Sequence, residues 1–195
     1  MNHAEAVAFL RSAVGDVDRV TPSAWADLGA GGGAFARALA DLLPPHSVVY
    51  AVDSDPAAIS ALRDAAPEKL DVIPVLGDFT SDVAELRGVA LDGVLLANAL
   101  HFVRDQAAVL KRVASMVRAG GRVIVIEYER RAASRWVPYP LPVAKLESLA
   151  RDARLGAPRV TARRPSRYQG ELYAAVVDVG GQGSRMPAGS TPRER

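Results

Sequence analysis

The sequence predicts an α/β protein built on one doubly wound, mostly parallel sheet. Three observations lead to this fold class. From residue 24 to residue 128, short β-prone runs alternate with amphipathic helical segments, which is the order of βαβ units. A glycine-rich turn at residues 29–33 joins the first run to a helix. The last two runs are separated only by the turn from Pro165 to Gly170, and so short a connection forces an antiparallel pair.

The elements follow from apolar periodicity and from Gly and Pro punctuation. The first strand ends near Leu28, and further parallel strands are predicted at residues 47–52, 71–76, 91–97 and 122–128. Helices are predicted at about 3–14, 34–43, 57–66 and 105–117, with residues 119–121 closing the last of these. Asp55 and Pro56 suit the start of the third helix. A helix at 143–155 and strands at 159–164 and 171–178 complete the fold.

Length and composition bound the class of protein. The 195 residues suffice for one domain with a substantial core. We expect it to span residues 1–179, with a helical cover at 1–20, a substrate-side loop at 129–142 and a disordered tail at 180–195. The chain has no cysteine and three histidines, so no metal site is expected. No basic leader or apolar run of about 18 residues is present, which predicts a cytoplasmic protein without membrane contact.

Charge is unevenly distributed along the chain. The net charge is only +2, but residues 121–170 hold 11 Lys and Arg against 4 Asp and Glu. Such a segment fits either an acidic substrate or a solvated basic face.

The glycine turn predicts a bound ligand. Four of the five residues at 29–33 are glycine, which suits a backbone that lies against an anionic or strongly polar group near unpaired helix N–H groups. The pattern Gly29-x-Gly31-x-x-Ala34 also satisfies the dinucleotide-binding signature. The glycines alone therefore do not choose between cofactors, and a merely structural turn is the alternative.

Acidic residues follow the next two strands. Asp53 lies about two dozen residues after Gly29, where a carboxylate can accept both hydroxyls of a ribose, and a simple loop acid is the alternative. Asp78 follows the third strand and is placed to accept from an exocyclic amine. Phe79 is available to pack on a base. Together they predict an adenosine-containing ligand.

These motifs, taken in order, resemble a known family. Asp27-x-Gly29-x-Gly31-x-Gly33, Asp53, residues 77–79, residues 98–101 and residues 118–122 look like the motif series of class I S-adenosylmethionine-dependent methyltransferases, especially the small-molecule members called type 11 or type 12. The resemblance is close over residues 24–128 and covers 143–178 in outline. It implies a Rossmann-like sheet in the order 3-2-1-4-5-7-6 with strand 7 antiparallel.

The resemblance also implies roles for individual residues. Asp27 would lie near the methionine amino group of S-adenosylmethionine, and Asn98 and Ala99 would line its methionine side near the sulfonium. The remaining cofactor contacts would come from Gly29, Ala30, Gly31, Gly33, Asp53, Ser54, Gly77, Asp78 and Phe79. The product would be S-adenosylhomocysteine.

Catalytic and substrate residues are less well marked. His101 is a candidate base for a hydroxyl or amine acceptor, although packing after the fourth strand is the simpler role, and methyl transfer does not require a base. Substrate contacts are expected from His101, Tyr128, Arg131, Trp136 and Tyr139. Six arginines are expected near one rim: Arg130, Arg131, Arg135, Arg163, Arg164 and Arg167.

The function predicted from these features is methyl transfer to an O, N or C atom of a small molecule, with an acidic one favoured by the arginines. The alternatives are an RNA or protein methyltransferase that uses the arginine rim and an S-adenosylmethionine-binding protein without activity. A nicotinamide oxidoreductase is a weaker alternative. The near-neutral total charge and the lack of an appended binding domain argue against nucleic acid. The sequence leaves the oligomeric state open.

Overall fold

A seven-stranded sheet forms the centre of the structure, a computed structural model that describes residues 1–15, 20–65, 72–129, 132–166 and 170–180. Its strands are β1 Ala24–Leu28, β2 Val48–Asp53, β3 Val72–Leu76, β4 Leu91–Ala97, β5 Val117–Tyr128, β6 Arg159–Pro165 and β7 Glu171–Asp178. Their order is β3-β2-β1-β4-β5-β7-β6. β7 runs antiparallel to β5 and β6, and the other neighbours are parallel. The predicted fold class and strand order are confirmed.

Helices cover both faces of the sheet. They are α1 His3–Val14, α2 Ala34–Ala40, α3 Pro56–Ala65, α4 Gln106–Met116 and α5 Val143–Asp152, with short 3-10 helices at Ala84–Leu86 and Leu100–Phe102. Strand residues alternate between two cores: Leu95 packs with residues of α1 and α2, whereas Val94 and Leu96 pack with residues of α4 and α5. Burying both faces explains why the central strands are almost continuously apolar.

Local sequence signals set the helix starts. Asn2 and Glu5 form a capping box at α1, since each side chain accepts a hydrogen bond from the backbone N–H of the other residue. The Asp55 carboxylate accepts from the N–H of Ala57 at 2.9 Å, and Pro56 is the first residue of α3. These caps set the first turns of α1 and α3.

Two predictions about the elements are wrong. Residues 119–121 do not close α4; they lie inside β5, which begins at Val117 and pairs with β4 from Leu91 onward through an irregular register. A Cβ on Gly121 would lie 2.5 Å from the Asp92 carbonyl oxygen, so this glycine allows the close approach of the two strands. The regular strand and helix alternation also breaks between β3 and β4, where the described residues contain one 3-10 turn rather than an α-helix.

Smaller differences concern element ends. α2 ends at Ala40 and α5 at Asp152, each three residues before its predicted end. Residues 181–195 of the predicted disordered tail, residue 71 at the start of the predicted third strand, and Arg130, Arg131 and Arg167 lie outside the described residues. In the part of the chain that is described, no helix has the length and apolarity needed to cross a membrane.

Candidate functional site

The polar residues singled out in the sequence lie along one edge of the sheet. Parallel strands present their carboxyl ends on the same side, so the residues at the ends of β1, β2, β3, β4 and β5 come together. This edge carries Asp27, Asp53, Asp78, Asn98 and Glu127. The sequence predicted the first four of these.

The glycine turn is fastened to β2. The N–H groups of Gly29 and Ala30 donate to the Val52 carbonyl oxygen at 2.8 and 2.9 Å. Gly29, Gly31 and Gly33 have φ angles of 79°, 52° and 72°, a left-handed conformation that side chains with a Cβ rarely adopt. The turn therefore requires glycine for its backbone shape.

Gly29 also brings three motifs together. A Cβ at this position would lie 2.8 Å from the Cβ of Ala99 and 3.4 Å from Phe79, so the residues after β3 and β4 pack directly on the turn. A Cβ at Gly31 or Gly32 would meet nothing within 4 Å. The turn is thus closely packed at Gly29, and at Gly33 against Leu62, and open at Gly31 and Gly32 between them.

Asp27 is a buried acid without a hydrogen-bond partner. Its side chain is on β1, the residue is 1% exposed, and neither carboxylate oxygen has a hydrogen-bond partner among the described residues. Burial, and after it the charge of Asp53, raise the pKa of Asp27 to about 7 against the opposing effect of the Ala36 N–H. Such a group is suited to a positively charged ligand.

Asp53 braces the loops at the ligand edge. One oxygen accepts from the N–H of Gly31 at 2.7 Å and the other from the N–H of Asp55 at 2.9 Å, while its carbonyl accepts from Gly77 at 2.9 Å. Ser54 beside it is exposed. These bonds leave one lone pair on each carboxylate oxygen.

Asp78 and Asn98 are held differently. Asp78 is exposed, and one of its oxygens accepts from both the N–H and the hydroxyl of Thr80 at 2.8 and 2.7 Å. Asn98 has a φ angle of 54°, and its N–H donates to the Ile126 carbonyl oxygen at 2.8 Å. Its side-chain oxygen is buried without a hydrogen-bond partner in the described part of the chain. A conformation this uncommon outside glycine, together with an unused acceptor, marks Asn98 as a ligand-binding candidate.

His101 is buried and bonded to a carboxylate that the sequence reading missed. Its Nδ1 lies 2.7 Å from Oε2 of Glu127, and its backbone N–H donates to Oε1 at 3.1 Å. Glu127 is fully buried on β5. The signal was present in the sequence, because a charged residue inside the apolar run 123–128 is almost never fully buried unless it is paired.

A cleft of about 510 Å³ opens beside Asn98 and Tyr128, and the buried His101 does not itself line it. Its walls come from α1, α2, the ends of β4 and β5, and the β6–β7 hairpin, and they include Glu5, Phe35, Asn98, Tyr128, Arg164 and Leu172. The Tyr128 ring, which lines it, lies 5.9 Å from the His101 ring. The cleft combines an apolar wall with one positive and one negative side chain.

The other predicted substrate residues lie elsewhere. Trp136 is 62% exposed on the loop after β5, with the Arg135 guanidinium 4.7 Å above its ring. The N–H of Tyr139 donates to the His101 carbonyl oxygen at 2.9 Å, which ties this loop to the residues after β4. Neither side chain lines the cleft.

The expected arginine rim is largely neutralised where it is described. Arg163 pairs with Glu171 at 2.7 Å and with Glu129 at 3.2 Å, and Arg164 pairs with Glu5 at 3.4 Å. These pairs reduce the positive surface available to a polyanion.

A second cleft of about 600 Å³ lies at the opposite end of β4. It is lined by Arg87, Arg112 and Arg118 and by the apolar and polar residues around them. Arg118 belongs to the motif at 118–122, but Asp27, Asp53, Asp78, Asn98 and Glu127 do not line this cleft. Size alone therefore does not locate the functional site.

The comparisons with known proteins decide the family. A sequence profile described as "Methyltransferase domain" matches residues 26–123, which is half of the chain and includes Asp27, the glycine turn, Asp53, Asp78 and Asn98. The chain belongs to this methyltransferase family. It is an S-adenosylmethionine-dependent methyltransferase, with S-adenosylmethionine as its cofactor. A search of the curated proteins finds no sequence match.

Solved structures with the same fold include several methyltransferases. CcbJ from Streptomyces caelestis has a TM-score of 0.66 at 17% identity, over 91% of this chain and 94% of that one. A putative methyltransferase in complex with the Trm112 activator of Haloferax volcanii has a TM-score of 0.68 at 19% identity, and the match covers 93% of this chain and 90% of that one. The CurJ carbon methyltransferase has a TM-score of 0.71 at 16% identity, and the match covers 85% of this chain and 50% of that one. This methyltransferase therefore spans about half the length of CurJ, and these likenesses establish the fold.

The residues at the ligand edge fit S-adenosylmethionine. Its methionine ammonium group is a cation that donates hydrogen bonds, and the buried oxygens of Asp27 and Asn98 are acceptors without partners among the described residues. The open space beside Gly31 and Gly32 leaves room for a ligand against the backbone. The methyltransferase thus carries acceptors and space that match the chemistry of its cofactor.

Proposed function

We propose that the protein methylates a small molecule held in the 510 Å³ cleft, with His101 as the base and Glu127 as the residue that positions it. The buried His101–Glu127 pair is the observation that carries this proposal. A carbon, oxygen or nitrogen atom is the methyl acceptor.

We propose that residues at successive strand ends bind different parts of the cofactor. Asp27 and Asn98 hold the methionine moiety, and the backbone of residues 29–33 packs on it. Asp53 accepts from the ribose hydroxyls, Asp78 accepts from the adenine amine, and Phe79 packs on the base. Ser54 and Gly77 border the ribose, and Ala99 completes the wall near the sulfonium. The support is that these residues share one edge, that the buried oxygens of Asp27 and Asn98 have no hydrogen-bond partner among the described residues, and that Asp53 keeps a lone pair on each oxygen.

Glu127 determines which nitrogen of His101 can act. An ionised carboxylate only accepts hydrogen bonds, so its 2.7 Å contact fixes the proton on Nδ1. Nε2 then carries a lone pair, and it has no hydrogen-bond partner in the part of the chain described. The second bond, from the His101 N–H to Oε1, holds the carboxylate in place.

The reaction is an in-line displacement. When bound, S-adenosylmethionine would supply an electrophilic methyl group on its sulfonium, and loss of that methyl group would leave the neutral thioether S-adenosylhomocysteine. His101 Nε2 takes the proton from the acceptor atom, whose electron pair then forms the new bond to the methyl carbon. Phe35, Tyr128 and Leu172 offer apolar surface against which the acceptor would pack.

The test uses labelled S-adenosylmethionine with the purified protein and the low-mass, RNA and protein fractions of a cell extract. We expect the low-mass fraction to take the label. Label in the RNA or protein fraction instead would support the arginine-rim alternative. Absence of label in every fraction, with S-adenosylhomocysteine still bound, would favour a non-catalytic protein.

The base is tested by His101→Gln and Glu127→Gln. General-base catalysis contributes typically about 10²-fold to 10⁴-fold, so each variant is expected to lose at least about 10²-fold in rate while its affinity for S-adenosylhomocysteine changes less than about threefold. Glu129→Gln is the matched control, because it makes the same change two residues along the chain in a residue that pairs with Arg163 at the surface. Full activity of His101→Gln would remove the base from the mechanism.

A further inference from the structure

Arg163 and Arg164 are neighbours on β6 that differ sharply in how well they are paired, and of the two only Arg164 lines the 510 Å³ cleft. Arg163 makes two contacts, at 2.7 Å with Glu171 and at 3.2 Å with Glu129. Arg164, which lines the cleft, has one ion pair among the described residues, at 3.4 Å with Glu5. Charge-assisted N–H to carboxylate bonds are ordinarily 2.7–2.9 Å long, so Arg164 is the cation with unused bonding capacity.

Glu5 is already committed to another role. Its Oε2 accepts from the backbone N–H of Asn2 at 3.0 Å as part of the α1 capping box, and the same oxygen faces Arg164. The hydrogen bond from the Asn2 backbone lowers the pKa of Glu5, and Arg164 lowers it further. Glu5 therefore lies on the cleft wall as an anion whose Oε2 is shared between the α1 capping box and Arg164.

The rest of the cleft wall carries three large apolar surfaces beside the polar side chains of Asn98 and Ser166. Phe35, Tyr128 and Leu172 contribute two aromatic rings and one aliphatic side chain. A site with an apolar wall and one incompletely paired guanidinium matches a ligand with an apolar body and a carboxylate. The planar fork of Arg164 can bind both oxygens of that carboxylate, which a lysine at the same place would not do.

We propose that Arg164 binds a carboxylate on the methyl acceptor, and that Glu5 is the internal anion which this carboxylate displaces. The proposal rests on the proposed function, since it assumes that the acceptor occupies this cleft. It narrows the substrate class to small aromatic or otherwise apolar carboxylic acids. The apolar body lies against Phe35, Tyr128 and Leu172.

The probes are phenylacetate and its neutral counterpart phenylacetamide, titrated calorimetrically into protein saturated with S-adenosylhomocysteine. We expect phenylacetate to bind at least about tenfold more tightly than the amide. Arg164→Gln should abolish that preference. Arg159→Gln is the control: Arg159 is on the same strand, is exposed, does not line the cleft, and pairs with Asp178 at 3.7 Å, so the preference should persist.

Glu5→Gln gives the sharper test. Glutamine preserves the capping box, because its side-chain oxygen still accepts from the Asn2 N–H, but it removes the charge that faces Arg164. Phenylacetate affinity should therefore rise, by about threefold to tenfold, whereas loss of an ordinary structural contact would lower it or leave it unchanged.

The outcomes separate this proposal from the broader function. Equal binding of both probes, no binding of either, or an unchanged preference in Arg164→Gln would overturn the carboxylate role while S-adenosylhomocysteine still binds and the His101 and Glu127 variants still lose activity. Failure to bind S-adenosylhomocysteine, measured in the first step of the same titration, would instead count against the proposed function.

Discussion

The negative charge of Asp27 is expected to lower the stability of the ligand-free protein and, in the proposed site, to bind the cofactor. Asp27→Asn removes that charge and so tests both effects. The carboxyl group is buried, has no hydrogen-bond partner among the described residues and has a pKa raised by burial to about 7. In the proposed site its negative charge binds the methionine ammonium. The charge should therefore destabilise the ligand-free fold and become favourable only when the cofactor is bound.

The magnitude follows from the pKa. A rise from 3.8 to about 7 corresponds to about 4 kcal/mol between the two protonation states. Because the folded pKa lies above the unfolded one, the folded state binds the proton more tightly. The free energy of unfolding that is lost by ionising Asp27 is therefore zero below about pH 4, grows as the pH rises to 7 and reaches its full value above pH 7. A buried, unpartnered amide costs about 1–3 kcal/mol itself, so Asp27→Asn should gain about 1–3 kcal/mol at pH 8.5.

Urea unfolding of the ligand-free protein at pH 5 and pH 8.5 measures this effect. Asp27→Asn should raise the free energy of unfolding clearly at pH 8.5 and only slightly at pH 5. Its affinity for S-adenosylhomocysteine at pH 8.5 should fall at least about tenfold. Asp92→Asn is the matched control, because Asp92 bonds Arg118 and the N–H of Ala24 at the other end of the sheet. It should lose stability and keep its affinity. A gain in Asp27→Asn that is equal at both pH values would refute the reasoning.

Three further variants test the site and the fold. Asp53→Ala removes both oxygens that brace the ligand-edge loops and should lower S-adenosylhomocysteine affinity at least about tenfold by calorimetry; unchanged affinity would remove Asp53 from the site. Gly93→Ala would place a Cβ 2.3 Å from the buried Trp25 ring, and urea unfolding should show a loss of about 1–3 kcal/mol; wild-type stability would mean that the indole moves freely. Tyr173→Phe removes a buried 2.7 Å hydrogen bond and should cost about 1 kcal/mol; a stabilised variant would contradict this.

Much of the fold was predictable because local and tertiary signals agree. α1, β4 and β7 have the predicted bounds, and the strand order follows from the family resemblance. The prediction fails at residues 117–121, where two glycines read as a helix end. Pairing with Leu91 draws that segment into β5, and propensity carries no information about such a partner.

The site was predictable wherever a residue follows a parallel strand. Asp53, Asp78 and Asn98 lie along the same edge because parallel strands end on the same side of the sheet. Glu127 was missed because a single acid in an apolar strand has no spacing signature, and its partner His101 is 26 residues away. The arginine rim was overestimated for a related reason: the β6–β7 pairing brings Glu171 within 2.7 Å of Arg163, a contact that depends on register.

A crystal structure of the complex with S-adenosylhomocysteine tests the account most directly. We expect the homocysteine amino group beside Asp27, the ribose at Asp53, the adenine between Asp78 and Phe79, and the sulfur facing the cleft at Tyr128. Density for the nucleoside at the opposite end of the sheet near Arg112, or binding of NADH in its place, would contradict it.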